Sequence, residues 1–254
     1  EMNSEIDGKV ALVTGAAAGI GRATAQRFAA DGVKVVVADV ATDEGQQTTR
    51  LIEQSGGTAH FVRCDVSSAT DVEAMVEEVL TRYGRLDAAF NNAGVECEMA
   101  TIGEAKEEDW DRVMSINLKG IWLCMKYEIA AMMRQGGGAI VNSSSVVGVL
   151  GQPNMASYVA SKHGVLGLTK TAALEYASSS IRVNAVCPAI VDTPMLHRYT
   201  KGDTQLAAEL TAQYPTQRIT QPEEVANAVL WLCSDAASYV NGHSLMIDGG
   251  LSIQ

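Results

Sequence analysis

Short apolar runs alternate along the chain with longer stretches whose apolar positions recur at helical spacing. Lys9–Thr14 is such a run, closing on Thr-Gly, the pattern of a strand buried on both faces. Ile20–Ala30 follows with a helical period and a stop signal at Gly32, and Lys34–Asp39 predicts a second strand that ends in an acid. The alternation continues with a helix near Asp43–Gln54, a strand near Ala59–Cys64, a helix near Ala69–Tyr83 and a strand near Ala88–Asn91. Ser68 with Asp71 three residues on marks the third helix start. A long helix is expected over much of Trp110–Met133, then a Gly136-Gly137-Gly138 turn, a central strand at Ala139–Ser144 and a helix at Tyr158–Tyr176. Arg182–Cys187 predicts a strand broken by Pro188. Pro222 followed by Glu223 and Glu224 opens a helix running to about Cys233, and Ser244–Ile247 is the last strand. Repeated βα units with short connections predict an α/β fold: a single Rossmann-like, doubly wound parallel sheet flanked by helices on both faces.

Composition narrows the partners. The chain has 254 residues, 47% of them hydrophobic, which fits one large α/β domain. A net charge of −11 argues against a nucleic-acid or anionic-membrane surface, since phosphate-rich partners need a basic face. A phosphate-bearing cofactor stays compatible, because the N–H groups at a helix N-terminus hold phosphate without basic side chains. Cys64, Cys97, Cys124, Cys187 and Cys233 are odd in number with no C-x-x-C pair, which reads as reduced thiols. Glu1-Met2-Asn3-Ser4-Glu5 has no apolar signal region and no apolar run reaches a membrane span, so a cytoplasmic protein is expected. His60, His163, His197 and His243 lack metal-ligand spacing.

Two sets of residues fall at predicted strand ends, where ligands of such sheets bind. Thr14-Gly15-Ala16-Ala17-Ala18-Gly19-Ile20-Gly21 joins the first strand to the first helix as G-x-x-x-G-x-G, with Gly15, Gly19, Ile20 and Gly21 at the turn. Glycines there permit a tight turn and close approach of backbone to a pyrophosphate, although packing alone also favours a Gly-rich turn. Asp39 ends the second strand about 20 residues beyond Gly19, the distance of an acid that takes the adenine ribose hydroxyls. Residues 16–18 are all Ala and Val40 follows the acid, leaving no Arg or Lys to receive a 2′-phosphate, so NAD(H) is favoured over NADP(H). Asp65-Val66 fits the adenine end, and the small residues of Asn91-Asn92-Ala93-Gly94, where Asn92 is a candidate cofactor contact, would let the chain run close beneath the adenosine.

The second set carries chemistry. Tyr158 and Lys162 are four apart and share a helix face. A phenol titrates near 10, and a nearby ammonium favours its ionised form, making a usable acid or base. Lys162 could also bind the nicotinamide ribose. Ser145 follows the Ala139–Ser144 strand and could orient a substrate oxygen, with Ser143 and Ser144 as competing neighbours. Asn117 lies among Met114, Ile116, Leu118 and Ile121, either as a satisfied core amide or as a water-holding relay behind Lys162.

On these motifs, from Gly8 to the closing Asp248-Gly249-Gly250, the chain resembles the short-chain dehydrogenase/reductase family in its compact single-domain form. The resemblance implies one dinucleotide-binding and catalytic domain over 1–254, with a substrate-loop segment around 193–215. It implies hydride transfer between nicotinamide and an alcohol/carbonyl pair. Tyr158 is then the proton donor or acceptor, Ser145 the substrate orienter, Lys162 the group that lowers the Tyr pKa and binds ribose, and Asn117 the anchor of a relay water. Val191 and Thr193, in Pro188-Ala189-Ile190-Val191-Asp192-Thr193, are implied to contact the nicotinamide carboxamide. The family's Gly after the Pro is here Ala189, which at a positive φ would cost roughly 1 kcal/mol. Family members are usually tetrameric, so a homotetramer is expected through the Trp110–Met133 and Tyr158–Tyr176 helices.

The segment after Thr193 offers Met195, Leu196, Tyr199, Leu206, Leu210 and Tyr214, facing Val95-Glu96-Cys97, Val146–Leu150 and Met155. This mostly apolar set predicts a secondary alcohol or ketone, with Arg198 and Lys201 read as solvated charges. Trp110, Trp122 and Trp231 are expected to pack rather than stack on a cofactor. A catalytically silent NAD-binding regulator is the alternative; such a protein would be expected to lose Ser, Tyr or Lys. An extended epimerase or dehydratase would need a larger C-terminal domain.

Overall fold

The computed structural model describes residues 8–212 and 214–254, without the side chains of Thr204, Ala207 and Ala208; the acidic opening residues lie outside this range. Among the described residues the strands are β1 (Val10–Thr14), β2 (Lys34–Asp39), β3 (Ala59–Arg63), β4 (Ala88–Asn91), β5 (Gly138–Ser143), β6 (Ile181–Pro188) and β7 (Ser244–Ile247). They form one sheet in the order β3-β2-β1-β4-β5-β6-β7, and each neighbouring pair is parallel. The expected doubly wound fold is therefore present, with its switch of direction between β1 and β4.

Alternation within each strand builds two cores. Val10 and Leu12 of β1 face one, and Ala11 and Val13 the other. The first is covered by α3 (Ala69–Tyr83), α5 (Gly120–Gln135) and α6 (Ala156–Tyr176), through Val72, Met75, Val79, Ile121, Met132 and Val165. The second is covered by α1 (Gly19–Ala30), α2 (Thr42–Gln54) and α9 (Pro222–Cys233), through Phe28, Ile52, Val225, Val229 and Leu232. Ser68 caps α3 by accepting from the Asp71 N–H, as its spacing predicted. All five cysteines are buried and unbridged. No helix among the described residues is long and apolar enough to cross a membrane.

Three departures from the expected elements matter for the site. The single helix expected over Trp110–Met133 is instead α4 (Glu107–Val113), a π-helical turn at Met114–Lys119, and α5. Such wide turns shift the helical face by one residue and recur at functional sites. Pro188 ends β6 instead of breaking it, pairing with Ile247 at the sheet edge. Beyond it lie α7 (Pro194–Thr200) and α8 (Thr204–Ala212), which the apolar pattern did not reveal. The tryptophans are 41%, 45% and 37% exposed, so they are not core packing.

One buried carboxyl is unexpected. Glu128 of α5 is fully buried and accepts from Asn91 Nδ2 at 2.9 Å, in a chain that continues from Asn91 to Asn142 Oδ1 and from Asn142 to Thr169 Oγ1. Burial pushes this carboxyl from 4.5 up to about 7. The folded state thus holds the proton more tightly than the unfolded chain, so the stability is full below about 4.5 and is lost as pH rises through about 7. Glu128→Gln is expected to remove this loss, on the order of 3 kcal/mol. Thermal melts at pH 8 should show the variant roughly 5–10 °C above the parent. At pH 5 the two should nearly coincide; an equal offset at both pH values refutes the assignment.

Candidate active site

The loops after β1 and β4 part at the switch point, and Asn92 staples them together. Thr14 Oγ1 accepts from Asn92 N–H (3.0 Å) and Ala93 N–H (3.2 Å), while Asn92 Nδ2 donates to the Thr14 and Gly15 carbonyls, both at 3.1 Å. The side chain of Asn92 is thus spent on the cradle itself. Gly15 has φ +64°, and a Cβ on it would stand 2.8 Å from Ala93 Cα. A Cβ on Gly21 would come within 2.1 Å of the Gly15 carbonyl oxygen. The turn is therefore as tight as backbone allows, and α1 starts behind Ala18 with no side-chain cap on its first N–H groups. Ile20 packs into the core beneath it. This cradle fits the diphosphate of a dinucleotide.

Asp39 lies at the rim of the same turn. Its carboxylate accepts from Ala17 N–H (2.9 Å) and Ala41 N–H (3.0 Å), which leaves lone pairs for two hydroxyl donors. Arg22 changes the reading of this corner, since the sequence suggested no cation there. Its guanidinium reaches back to the Ala17 carbonyl and to Thr48 Oγ1 (3.0 Å). Helical side chains lean toward the N-terminus, and that rule could have found it. Asp65 forms a turn by accepting from the Ser67 N–H (2.9 Å) and hydroxyl (2.7 Å), and Val66 is buried against Gly120.

Ser145, Tyr158 and Lys162 come together at the carboxyl end of β5. The Ser145 hydroxyl donates to the Pro188 carbonyl (3.3 Å) and accepts from the Val147 N–H (3.4 Å), and it stands near enough to the Tyr158 phenol to favour its ionised form. Ser144 instead donates to the Lys162 carbonyl (2.9 Å), which separates it from Ser145. Lys162 Nζ donates to the Ser143 carbonyl (2.8 Å) and stands 5.5 Å from the Tyr158 ring centroid. Burial dominates both titrations, raising the phenol to about 12 and lowering the ammonium to about 8. The expected depression of the Tyr158 pKa by Lys162 is thus not present in this arrangement; Ser145 favours the ionised phenol, and Cys97 and Glu96 oppose it.

Asn117 sits in the π-helical turn with its amide fully engaged. Oδ1 accepts from Val95 N–H (2.8 Å) and Nδ2 donates to the Val95 carbonyl (2.9 Å), with Ser161 Oγ at 3.5 Å. The side chain therefore pins the loop after β4, and a relay water would need the backbone of the turn. Next along that loop Cys97 is buried, and burial pushes its thiol up.

The connector after β6 is braced from below. Tyr214, expected in the substrate segment, is buried with its hydroxyl oxygen accepting from Ile190 N–H (2.9 Å), so it supports the connector instead. Ala189 does not have a positive φ, and the strain considered for it is absent. Val191 bridges to Thr220, and Thr193 caps α7 at Leu196 N–H (3.5 Å). The Thr193 methyl meets Gly19, at 3.1 Å from an added Cβ, so the connector touches the Gly-rich turn. Arg198 is not a free surface charge. It pairs with Glu96 through two bonds, Nε–Oε1 at 2.9 Å and Nη2–Oε2 at 3.2 Å.

A doubly wound parallel sheet with a glycine cradle and a Ser–Tyr–Lys set at its carboxyl edge defines a dinucleotide-binding α/β oxidoreductase. The chain belongs to the short-chain dehydrogenase/reductase family, whose members use a nicotinamide cofactor. Residues 15–252 match the family model described as enoyl-(acyl carrier protein) reductase. The chain is 44% identical over 250 residues to a 2,5-dichloro-2,5-cyclohexadiene-1,4-diol dehydrogenase of Sphingobium indicum, covering 98% of this chain and 99% of that one. It is 42% identical to a cyclohexanol dehydrogenase of an Acinetobacter species, covering 98% and 96%. A 3-ketoacyl-(acyl-carrier-protein) reductase from Brucella melitensis, solved with NADH, superposes with a TM-score of 0.90 at 33% identity, covering 97% and 99%.

Proposed function

We propose that this protein is an NAD(H)-dependent dehydrogenase of secondary alcohols on six-membered carbocycles, acting through Tyr158. The observation that carries the reading is the convergence of Ser145, Tyr158 and Lys162 at the carboxyl end of β5, with Lys162 Nζ 5.5 Å from the Tyr158 ring centroid and the glycine cradle on the same edge of the sheet. The ring substrate rests on the names of the relatives, a cyclohexadienediol and a cyclohexanol dehydrogenase. When bound, the nicotinamide supplies the hydride acceptor. Tyr158 takes the hydroxyl proton of the alcohol, and Ser145 hydrogen-bonds the same oxygen as its charge develops. Lys162 binds the ribose and holds positive charge beside the phenol. The backbone of the Asn117 turn holds a water behind Lys162. Gly15, Gly19, Ile20 and Gly21 would hold the cofactor's diphosphate, Asp39 would take the adenine ribose hydroxyls, and Asp65 and Val66 would hold the adenine. Val191 and Thr193 would bind the carboxamide.

Asp39 favours NAD over NADP because its carboxylate repels a 2′-phosphate, while Arg22 is already engaged by Ala17 and Thr48. Cyclohexanol oxidation followed at the reduced-nicotinamide band is expected to give kcat/KM at least about tenfold higher with NAD than NADP. Asp39→Ser should erase most of that ratio. Equal use of both cofactors by the parent would overturn the assignment.

We also infer a homotetramer in the cytoplasm. An apolar hollow of about 620 Å³ on the outer helical face, lined by Met114, Leu118, Trp122 and Leu168, supports subunit packing there. Sedimentation at micromolar concentration is expected to give four times the 26.9 kDa chain mass; a monomer refutes it.

A further inference from the structure

We propose that Glu96 and Arg198 set the charge selectivity of the substrate site, admitting neutral ring alcohols and rejecting those that carry a carboxylate. The inference rests on the ring-alcohol reading above and adds to it the charge of the ring. Glu96 belongs to the loop after β4, between Val95, whose N–H and carbonyl bond the Asn117 amide, and Ala100, which bridges to Met155 at the start of α6. The loop thus borders the start of α6, the helix that carries Tyr158, and the Glu96 charge disfavours the ionised phenol there. Arg198 comes from α7, which starts at Thr193 beside Gly19 and so runs from the cofactor cradle to the loop after β4. The ion pair thus spans the mouth of the site.

Each partner is fixed. The Glu96 carbonyl accepts from Arg112 Nη2 (2.8 Å), and Arg112 is in turn held by Asp109 (2.6 Å), whose other oxygen accepts from Glu98 N–H (3.1 Å). The guanidinium of Arg198 offers its fork to Glu96 at both carboxylate oxygens. Lys106 is likewise paired with Glu98, and the His197 ring meets Asp192. An incoming carboxylate would have to share Arg198 with Glu96, like charge beside like charge, on a protein of net charge −11. A neutral ring meets no such opposition. Neutralising Glu96 leaves the Arg198 fork unshared, in the geometry that recognises carboxylates bidentately.

The test measures kcat/KM for cyclohexanol and for 4-hydroxycyclohexanecarboxylate with NAD, in the parent, Glu96→Gln and Arg198→Gln. The neutral-to-anionic ratio should exceed unity in the parent, fall about tenfold in Glu96→Gln and rise in Arg198→Gln, with the change carried by KM. Ratios that agree within about twofold in all three proteins overturn the proposal. If the parent oxidises neither compound, the ring-alcohol reading fails separately. Saturation-transfer NMR of cyclohexanol and cyclohexanecarboxylate on the NAD-loaded proteins then reads the same selectivity, and an unchanged binding ratio in Glu96→Gln overturns it.

Discussion

Tyr158→Phe is expected to lower kcat for alcohol oxidation by about 10²–10⁴-fold, the usual contribution of a positioned acid or base. The change removes one oxygen from a half-buried ring and leaves the helix, the Lys162 bond to the Ser143 carbonyl and the glycine cradle in place. Cofactor affinity should therefore change far less than turnover. The pH profile supplies an independent check. Burial raises the phenol to about 12, so the ionised form that accepts a proton is scarce at neutral pH. Oxidation should climb as pH rises through the alkaline range, whereas ketone reduction needs the protonated phenol and should decline there. Lys162, lowered to about 8, loses its charge in the same range, so the profile carries both groups. Stopped-flow measurement in both directions, for the parent and the variant, reads all of this. Turnover retained within tenfold, or parallel pH profiles in the two directions, would remove Tyr158 from the role.

The central strands were legible because they are buried on both faces and read as uninterrupted apolar runs, as β1 does. Ala69–Tyr83 and Pro222–Cys233 have the predicted bounds through a Ser cap and a Pro start, and Ala88–Asn91 and Ser244–Ile247 match theirs as well. The π-helical turn was hidden, since one extra residue in a helical turn leaves the apolar period over Trp110–Met133 nearly unchanged. What fixes it is a long-range pairing, Asn117 with the backbone of Val95, which no local pattern contains. The candidate site followed the same division. Residues borne by a motif fall into two groups at strand ends, Asp39 against the glycine turn after β1, and Ser145 with Tyr158 and Lys162 at the end of β5. Tyr214 under Ile190 and Arg198 on Glu96 depend on how the chain folds back after β6, and their partners lie 24 and 102 residues away. A charge such as Arg198 cannot be told from a solvated one until its partner is placed.

Gly21→Ala is expected to raise the NAD dissociation constant by about 100-fold, because a displacement near 1 Å at a positioning element carries an effect of that size. Gly21 is helical and has no positive φ, so the added methyl meets a steric obstacle alone. That obstacle is backbone, the Gly15 carbonyl oxygen at 2.1 Å, with Asn92 Nδ2 at 2.8 Å behind it. Neither can swing aside as a side-chain end would. Gly15 is held by its own left-handed conformation, and Asn92 by its bonds to Thr14 and Gly15. Relief must come from separating the turn and the first helix, the two parts that cradle the diphosphate. Overpacking of this kind also lowers stability, by about 1–3 kcal/mol. Gly103→Ala provides the matched control, since its Cβ would meet nothing within 4 Å in an exposed turn. That variant should bind NAD as the parent does and melt at the same or a slightly higher temperature. Isothermal titration of both variants separates the two expectations. If Gly21→Ala binds NAD within about threefold of the parent, the dinucleotide does not use this turn and the cradle is a packing feature of β1 and α1.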